Sequence, residues 1–279
     1  MIYPRRWMLK RPGRMIPVFF LLSFQASLCS QIIWQEASTA ALGGAFVTRA
    51  GEACAGLNQA GLGWRDQHSV SLHHSRPYLL REIGQSSLSG QFLTGAGALG
   101  VLLITQGIRG LRQSSCWLSY GMKLSPDISA GVGIHLWNSS LPDQVFYASG
   151  MGLALGIQAR IQSQWTLGAH VLHPASWNSL SLPNALPGMV LSAGVSCTFL
   201  ESATLFSEIR AFHRLGIILV EGLEWDLNAR ASMRMGFSNK PSTFSWGISV
   251  LLDPWNIQFA FQYRSHSGMI PHTSLSHAW

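Results

Sequence analysis

Ten histidines stand in this chain of 279 residues, and they are the first places to look for chemistry. An imidazole titrates near neutrality, so it can serve as a general base or as a metal ligand. His68–Ser69 and His74–Ser75 each set a hydroxyl beside a base, as a hydrolase would need. His73, His135, His170, His266, His272 and His277 are scattered over the remainder, and His73 or His74 is expected to approach His277. No pair keeps the H-E-x-x-H spacing of a zinc site, and C-x-x-C, G-x-S-x-G, P-loop and dinucleotide fingerprints are all missing. Of the four cysteines, Cys29 falls in the leader (residues 1–30); Cys54, Cys116 and Cys197 are too few and too odd in number for a disulfide framework and read as small apolar residues. The expectation is therefore a non-enzymatic protein with no catalytic residue, no metal and no cofactor, whose histidines are polar lining.

The formal charge of +7 would suggest a nucleic-acid partner. Its placement removes that reading. Arg5, Arg6, Lys10, Arg11 and Arg14 all precede the first folded segment, and without them the balance falls to +2. Residues 1–30 carry a basic start, an apolar core (Met15–Phe24) and a small-residue tail, the order of a secretory signal peptide. Cleavage after Ser30 would leave Gln31 first, an arrangement common in Bacteroidota. Only 11% of the chain is charged, against about 25% for soluble domains.

The elements that must position these residues are strands. From Gln67 on, period-two alternation recurs in runs of about ten residues, the length that a tilted transmembrane strand requires. The runs fall at 67–75, 84–93, 97–106, 113–123, 128–137, 145–160, 163–172, 188–198, 202–212, 216–224, 227–237, 242–252, 255–264 and 272–279. Tight turns follow the even runs and longer connections the odd ones, the parity of an outer-membrane barrel with both termini on the periplasmic side. The fold expected for 67–279 is an all-β transmembrane antiparallel barrel of 14 strands, with outer-membrane lipid as its surroundings. Within it Gln158, Arg160, Glu208, Arg210, Asn228, Arg230 and Arg234 are expected to face the lumen, since an arginine facing lipid at the midplane costs about 2–4 kcal/mol. Ala229, Ala231, Met233, Met235 and Phe237 are expected to face lipid. The connection 173–188 carries Trp177, Leu180, Leu182 and Leu186, apolar residues suited to capturing a ligand at the outer side.

A ring of this size is too wide for its own side chains to fill, and the segment before the first strand is the available filler. Residues 31–66 are expected to form an N-terminal plug. The stretch Ala37–Gly63 is dense in Gly and Ala, with Arg49 and Glu52 its only charges. Its core, AALGGAFVTRAGEACAGLNQAGLG, resembles the plug of the FadL/PorV superfamily of outer-membrane barrels. The matching positions include Gly43, Gly44, Phe46, Asn58, Ala60, Gly61 and Leu62, and the sequence departs from the pattern at Gln59, where that superfamily has Pro. Arg49 and Glu52 are expected to meet Arg230, Arg234 or Glu208. The resemblance implies passive uptake of small hydrophobic or amphipathic compounds. Its PorV/PorQ branch implies an alternative, an accessory of type IX secretion with secreted or envelope proteins as partners. A lipid hydrolase on the barrel wall, using the Ser–His pairs, is a further alternative.

Overall fold

The computed structural model describes residues 34–108, 111–140, 147–178, 188–212, 216–265 and 267–279. The expected leader (1–30) and Leu180, Leu182 and Leu186 lie outside them. The wall consists of β1 (Ser69–Ser75), β2 (Gln85–Leu93), β3 (Gly97–Ile108), β4 (Leu111–Ser125), β5 (Ile128–Ser140), β6 (Tyr147–Ile161) and β7 (Trp165–Asn178), followed by β8 (Val190–Leu200), β9 (Ala203–Phe212), β10 (Gly216–Asn228), β11 (Ala231–Asn239), β12 (Ser242–Leu252), β13 (Trp255–Arg264) and β14 (Gly268–Ala278). Each strand pairs antiparallel with its sequence neighbours, and β1 pairs with β14 from Ser69↔Ala278 to Ser75↔His272. The sheet is a closed ring of 14 strands.

Period two divides the wall into two faces. In β11, Ser232, Arg234, Gly236 and Ser238 turn inward and are buried, while Met235 and Phe237 are 41% and 44% exposed on the outside. The same phase holds in β12 and β13, where Phe244, Trp246, Ile248 and Phe259 are exposed and Ser245, Gln258 and Gln262 are buried. So large an exposed apolar surface is stable against hydrocarbon, and a closed ring is the one sheet that leaves no unpaired edge there.

Several connections differ from the expectation because strands run on instead of ending in loops. The β3–β4 connection is reduced to residues 109–110, and Lys240–Pro241 alone joins β11 to β12. The long connections lie after β1, β5 and β7, at the end opposite the termini, which we call the loop end. β7 reaches Asn178, which places Trp177 in the wall opposite Met151 and not in a loop. β10 also continues to Asn228, so the next turn is Ala229–Arg230. Asn228, the last residue of β10, and the turn residues Ala229 and Arg230 are therefore exposed at the barrel's end and neither line the lumen nor face lipid. The Asn228 side chain accepts from the Arg230 amide (2.8 Å), an Asx-type turn that period-two reading does not detect.

Two substitutions separate wall from turn. Met235→Arg, near the middle of β11, should cost about 2–4 kcal/mol and reduce the heat-modifiable folded band on an unboiled detergent gel. Ala229→Arg, in the turn, should leave that band unchanged.

Candidate functional site

The described residues before β1 lie within the ring, with contacts to walls on opposite sides. A short helix, α1 (Ala37–Ala41), packs on β11 to β14. A 3₁₀ segment, Gln59–Trp64, packs on β3 to β6. Small residues on both sides permit this closeness. Gly43 has φ +69°, and a Cβ there would stand 2.8 Å from the Phe237 backbone; a Cβ on Gly236 would stand 2.0 Å from the Gly43 nitrogen.

Polar side chains of the wall bond to the backbone of this segment. The Phe46 and Val47 amides donate to one oxygen of Glu208 (2.8 and 3.1 Å), while Arg210 donates to the other oxygen (2.6 Å) and to the Gly44 carbonyl. The Arg210 guanidinium also lies over the Phe46 ring, 4.8 Å from its centroid. Gln158 donates to the Val47 and Arg49 carbonyls (2.8 and 3.0 Å). Ser129 donates to the Ala60 carbonyl (2.5 Å), and Gln262 to that of Ala40 (3.1 Å). Asn58, wholly buried, holds the segment to itself: it donates to Val47 (2.6 Å) and accepts from the Ala60 amide (3.1 Å), capping the 3₁₀ segment. The Gln59 amide group donates to the Leu57 carbonyl (3.0 Å). Gly61 bonds back to Asn58 (3.0 Å), and Leu62 is buried beside Cys54 and Ala98.

The charged residues pair differently from the expectation. Arg49 meets Glu224 (3.7 Å), which also bridges to Arg234, and Glu52 accepts from Ser276 (2.7 Å). Neither reaches Arg230 or Glu208; Arg230 belongs to a turn, and Glu208 is already held by two amides and Arg210. Arg160 lies over the Trp64 ring, 4.0 Å from its centroid, and is exposed at the end that carries the termini. Glu224, Gln91, Gln262 and Ser276 are contact residues that the sequence reading passed over. Their polar phase in alternating runs is the signal that could have marked them. Glu36 is buried at the start of α1, where it accepts from Ser38 (2.5 Å). Burial first, and then the neighbouring Glu52, push its carboxyl from the ordinary 4.5 up to about 7. Burial likewise pushes the Cys54 thiol up to about 12, which keeps it protonated and inert.

Toward the loop end the inner face divides: β11, β12, β14, β1 and β2 turn polar residues inward (Ser238, Thr243, His272, Ser75 and Ser87), whereas the wall between β4 and β10 carries an apolar and aromatic patch. Trp117, Leu172, Val190, Phe212, Ile218 and Val220 turn inward and are buried. His135 stacks on Trp117 with centroids 4.1 Å apart and shares a 3.0 Å hydrogen bond with His173. A bulge presents His173: Gly152 pairs with Ser176 and Ala154 with Leu172, which leaves His173, Pro174 and Ala175 opposite Leu153. His173 itself has φ +55°. The Ser–His pairs do not assemble: His74 points outward and Ser75 inward, while His68 accepts from the Leu93 amide (3.2 Å) and Ser69 from Arg65 (3.4 Å). His73 stacks on His272 (5.5 Å) and not on His277. Among the described residues no three metal-binding side chains converge.

No protein-family model matches the sequence, and no curated protein does. Solved structures do share the fold. The Pseudomonas putida toluene transporter TodX aligns with a TM-score of 0.67 at 14% identity, over 89% of this chain and 99% of TodX. The Ralstonia pickettii toluene transporter TbuX gives 0.61 at 14%, over 89% and 98%. The monoaromatic hydrocarbon channel CymD gives 0.64 at 13%, over 89% and 98%. Identities this low establish a common fold.

Asn58→Ala removes two hydrogen bonds from a buried position, at a cost of about 1–3 kcal/mol. Amide exchange in residues 34–64, read by mass spectrometry, should accelerate roughly 5- to 100-fold if the loss falls on local opening. Glu36 has a second signature. Its docked form holds a proton more tightly than the free segment, so docking is strongest below about pH 4.5 and weakens as pH rises toward 7. Conductance in planar bilayers should be higher at pH 8 than at pH 5, and Glu36→Gln should remove the difference.

Proposed function

We propose that this protein is a plugged outer-membrane conduit for the passive uptake of small hydrophobic or amphipathic compounds. The observation that carries the reading is the division of the lumen. Polar side chains grip residues 34–64, and toward the loop end an aromatic and aliphatic patch lines the wall between β4 and β10. A pore for ions or sugars would be lined by polar groups throughout. Here the patch of Trp117, Leu172, Val190, Phe212 and Ile218 offers an entering molecule apolar contact along one side of the lumen down to the Phe46 ring. Displacement of the plug would then open the way to the end that carries the termini. The fold shared with proteins described as toluene transporters and a monoaromatic hydrocarbon channel supports this substrate class. Cleavage near Ser30 and an outward loop end belong to the same reading. No catalytic step is involved; the work is binding, exclusion of water and movement of a polar latch.

The test is conductance and ligand binding on one preparation. The intact barrel should conduct little in planar bilayers, and deletion of residues 37–60 should raise conductance severalfold while heat-modifiability persists. Toluene or a medium-chain fatty acid should change tryptophan fluorescence in the wild type, and Trp117→Ala should weaken that response. Failure to bind either compound, combined with co-purification of secreted proteins, would overturn the conduit and favour the secretion accessory.

A further inference from the structure

The outer wall carries a groove of about 830 Å³ across six adjacent strands, from β14 through β1 to β5. The pairing register shows how it is built. Thr273, His74, Ser86, Thr105, Ser114 and Asn138 are successive cross-strand partners, and all six face outward and are exposed. The next outward row toward the termini consists of Leu275, Leu72, Leu88, Leu103, Cys116 and Leu136, again successive partners. The groove runs between the two rows, with one polar flank and one apolar flank. The polar flank also climbs. Its β1 member, His74, is five residues beyond Ser69, whereas its β5 member, Asn138, is ten beyond Ile128. In an apolar belt about 25 Å tall, that carries it from mid-wall to the rim at the loop end. His74 and Ser86 bond to each other (3.0 Å) on this face.

A row of hydroxyls facing hydrocarbon is costly unless something covers it. The dimensions select the occupant. Five strand spacings of about 4.8 Å give a length of about 24 Å, so the volume corresponds to a cross-section on the order of 35 Å². That is room for an extended hydrocarbon chain and its polar substituents. A second copy of this barrel would set one concave face against another and fill neither. Toward the upper end of the groove Arg112 lies two residues beyond Ser114 in the outward phase of β4 and is exposed. That end is suited to an anion.

We infer that this groove binds one anionic lipid of the outer leaflet. An acyl chain lies along the leucine row, its ester, amide or hydroxyl oxygens meet the polar row, and its phosphate sits at Arg112. The inference takes from the proposal above only that the loop end faces outward; it requires no transport activity.

The test uses the full-length barrel in nanodiscs of phosphatidylcholine containing phosphatidylglycerol as the anionic probe, released into native mass spectrometry. The wild type should retain one lipid and prefer phosphatidylglycerol roughly fivefold, the scale of one arginine–phosphate contact. Leu103→Trp, which fills the groove, should lose the retained lipid. Arg112→Gln should keep it and lose the preference. Leu219→Trp on the opposite wall is the control, and heat-modifiability shows that each variant folds. Retention that Leu103→Trp leaves unchanged would overturn the inference, as would a barrel dimer that Leu103→Trp dissociates. Loss of toluene response in these variants is not expected, which keeps this site distinct from the conduit.

Discussion

The absence of water beside the wall is the constraint from which this structure follows. Each peptide group facing hydrocarbon must find its partner in a neighbouring strand, and a sheet meets that demand only by closing on itself. The pairing of Ser69–Ser75 with His272–Ala278 supplies that closure. Closure fixes the rest. The ring encloses a lumen too wide for wall side chains alone, so the inner face acquires a use that the outer face cannot have: it can hold polar groups, provided that something inside satisfies them. Residues 34–64 do so, mainly with backbone amides and carbonyls. A segment with few side chains of its own can thereby be held at many points.

The polar tier is also economical in charge. Glu208 and Arg210 neutralise each other at 2.6 Å and direct their remaining capacity at Gly44, Phe46 and Val47. Glu224 stands between Arg49 of the segment and Arg234 of the wall. Buried pairs of this kind contribute little net stability, because desolvation offsets their attraction, but removal of one partner is costly. Their effect is to fix one docked position among those that the small residues would sterically permit. Above this tier specificity changes character, since stacked tryptophan and imidazole rings offer flat contact area and few directional bonds.

Alternation made the wall legible. In Ser242–Leu252 and Trp255–Arg264 the residues alternate between faces, and the boundaries read from the residues coincide with the observed strands. The inward placement of Gln158, Glu208, Arg210 and Arg234 was equally readable, because each lies in phase with other polar residues. What alternation does not encode is where a strand stops. Asn228 and Arg230 continue the polar phase of β11 on paper, yet an Asx turn removes them from it. Trp177 likewise follows Pro174, which reads as a loop and forms instead the bulge that exposes His173 to the lumen. Partnership was not legible either. Arg49 finds Glu224 because the segment inside the ring docks against β10, and no spacing along the chain contains that docking.

The seam between first and last strands has a temporal side. Residues 34–64 precede β1 in the chain, yet they bond across the seam, Ala37 to Ser274 and Glu52 to Ser276, both on the strand that is made last. A ring that zipped shut empty would have to admit this segment afterwards through one of its ends. A wall that closes around the segment needs no such passage, and its last hydrogen bonds would then lock the core and the seam together.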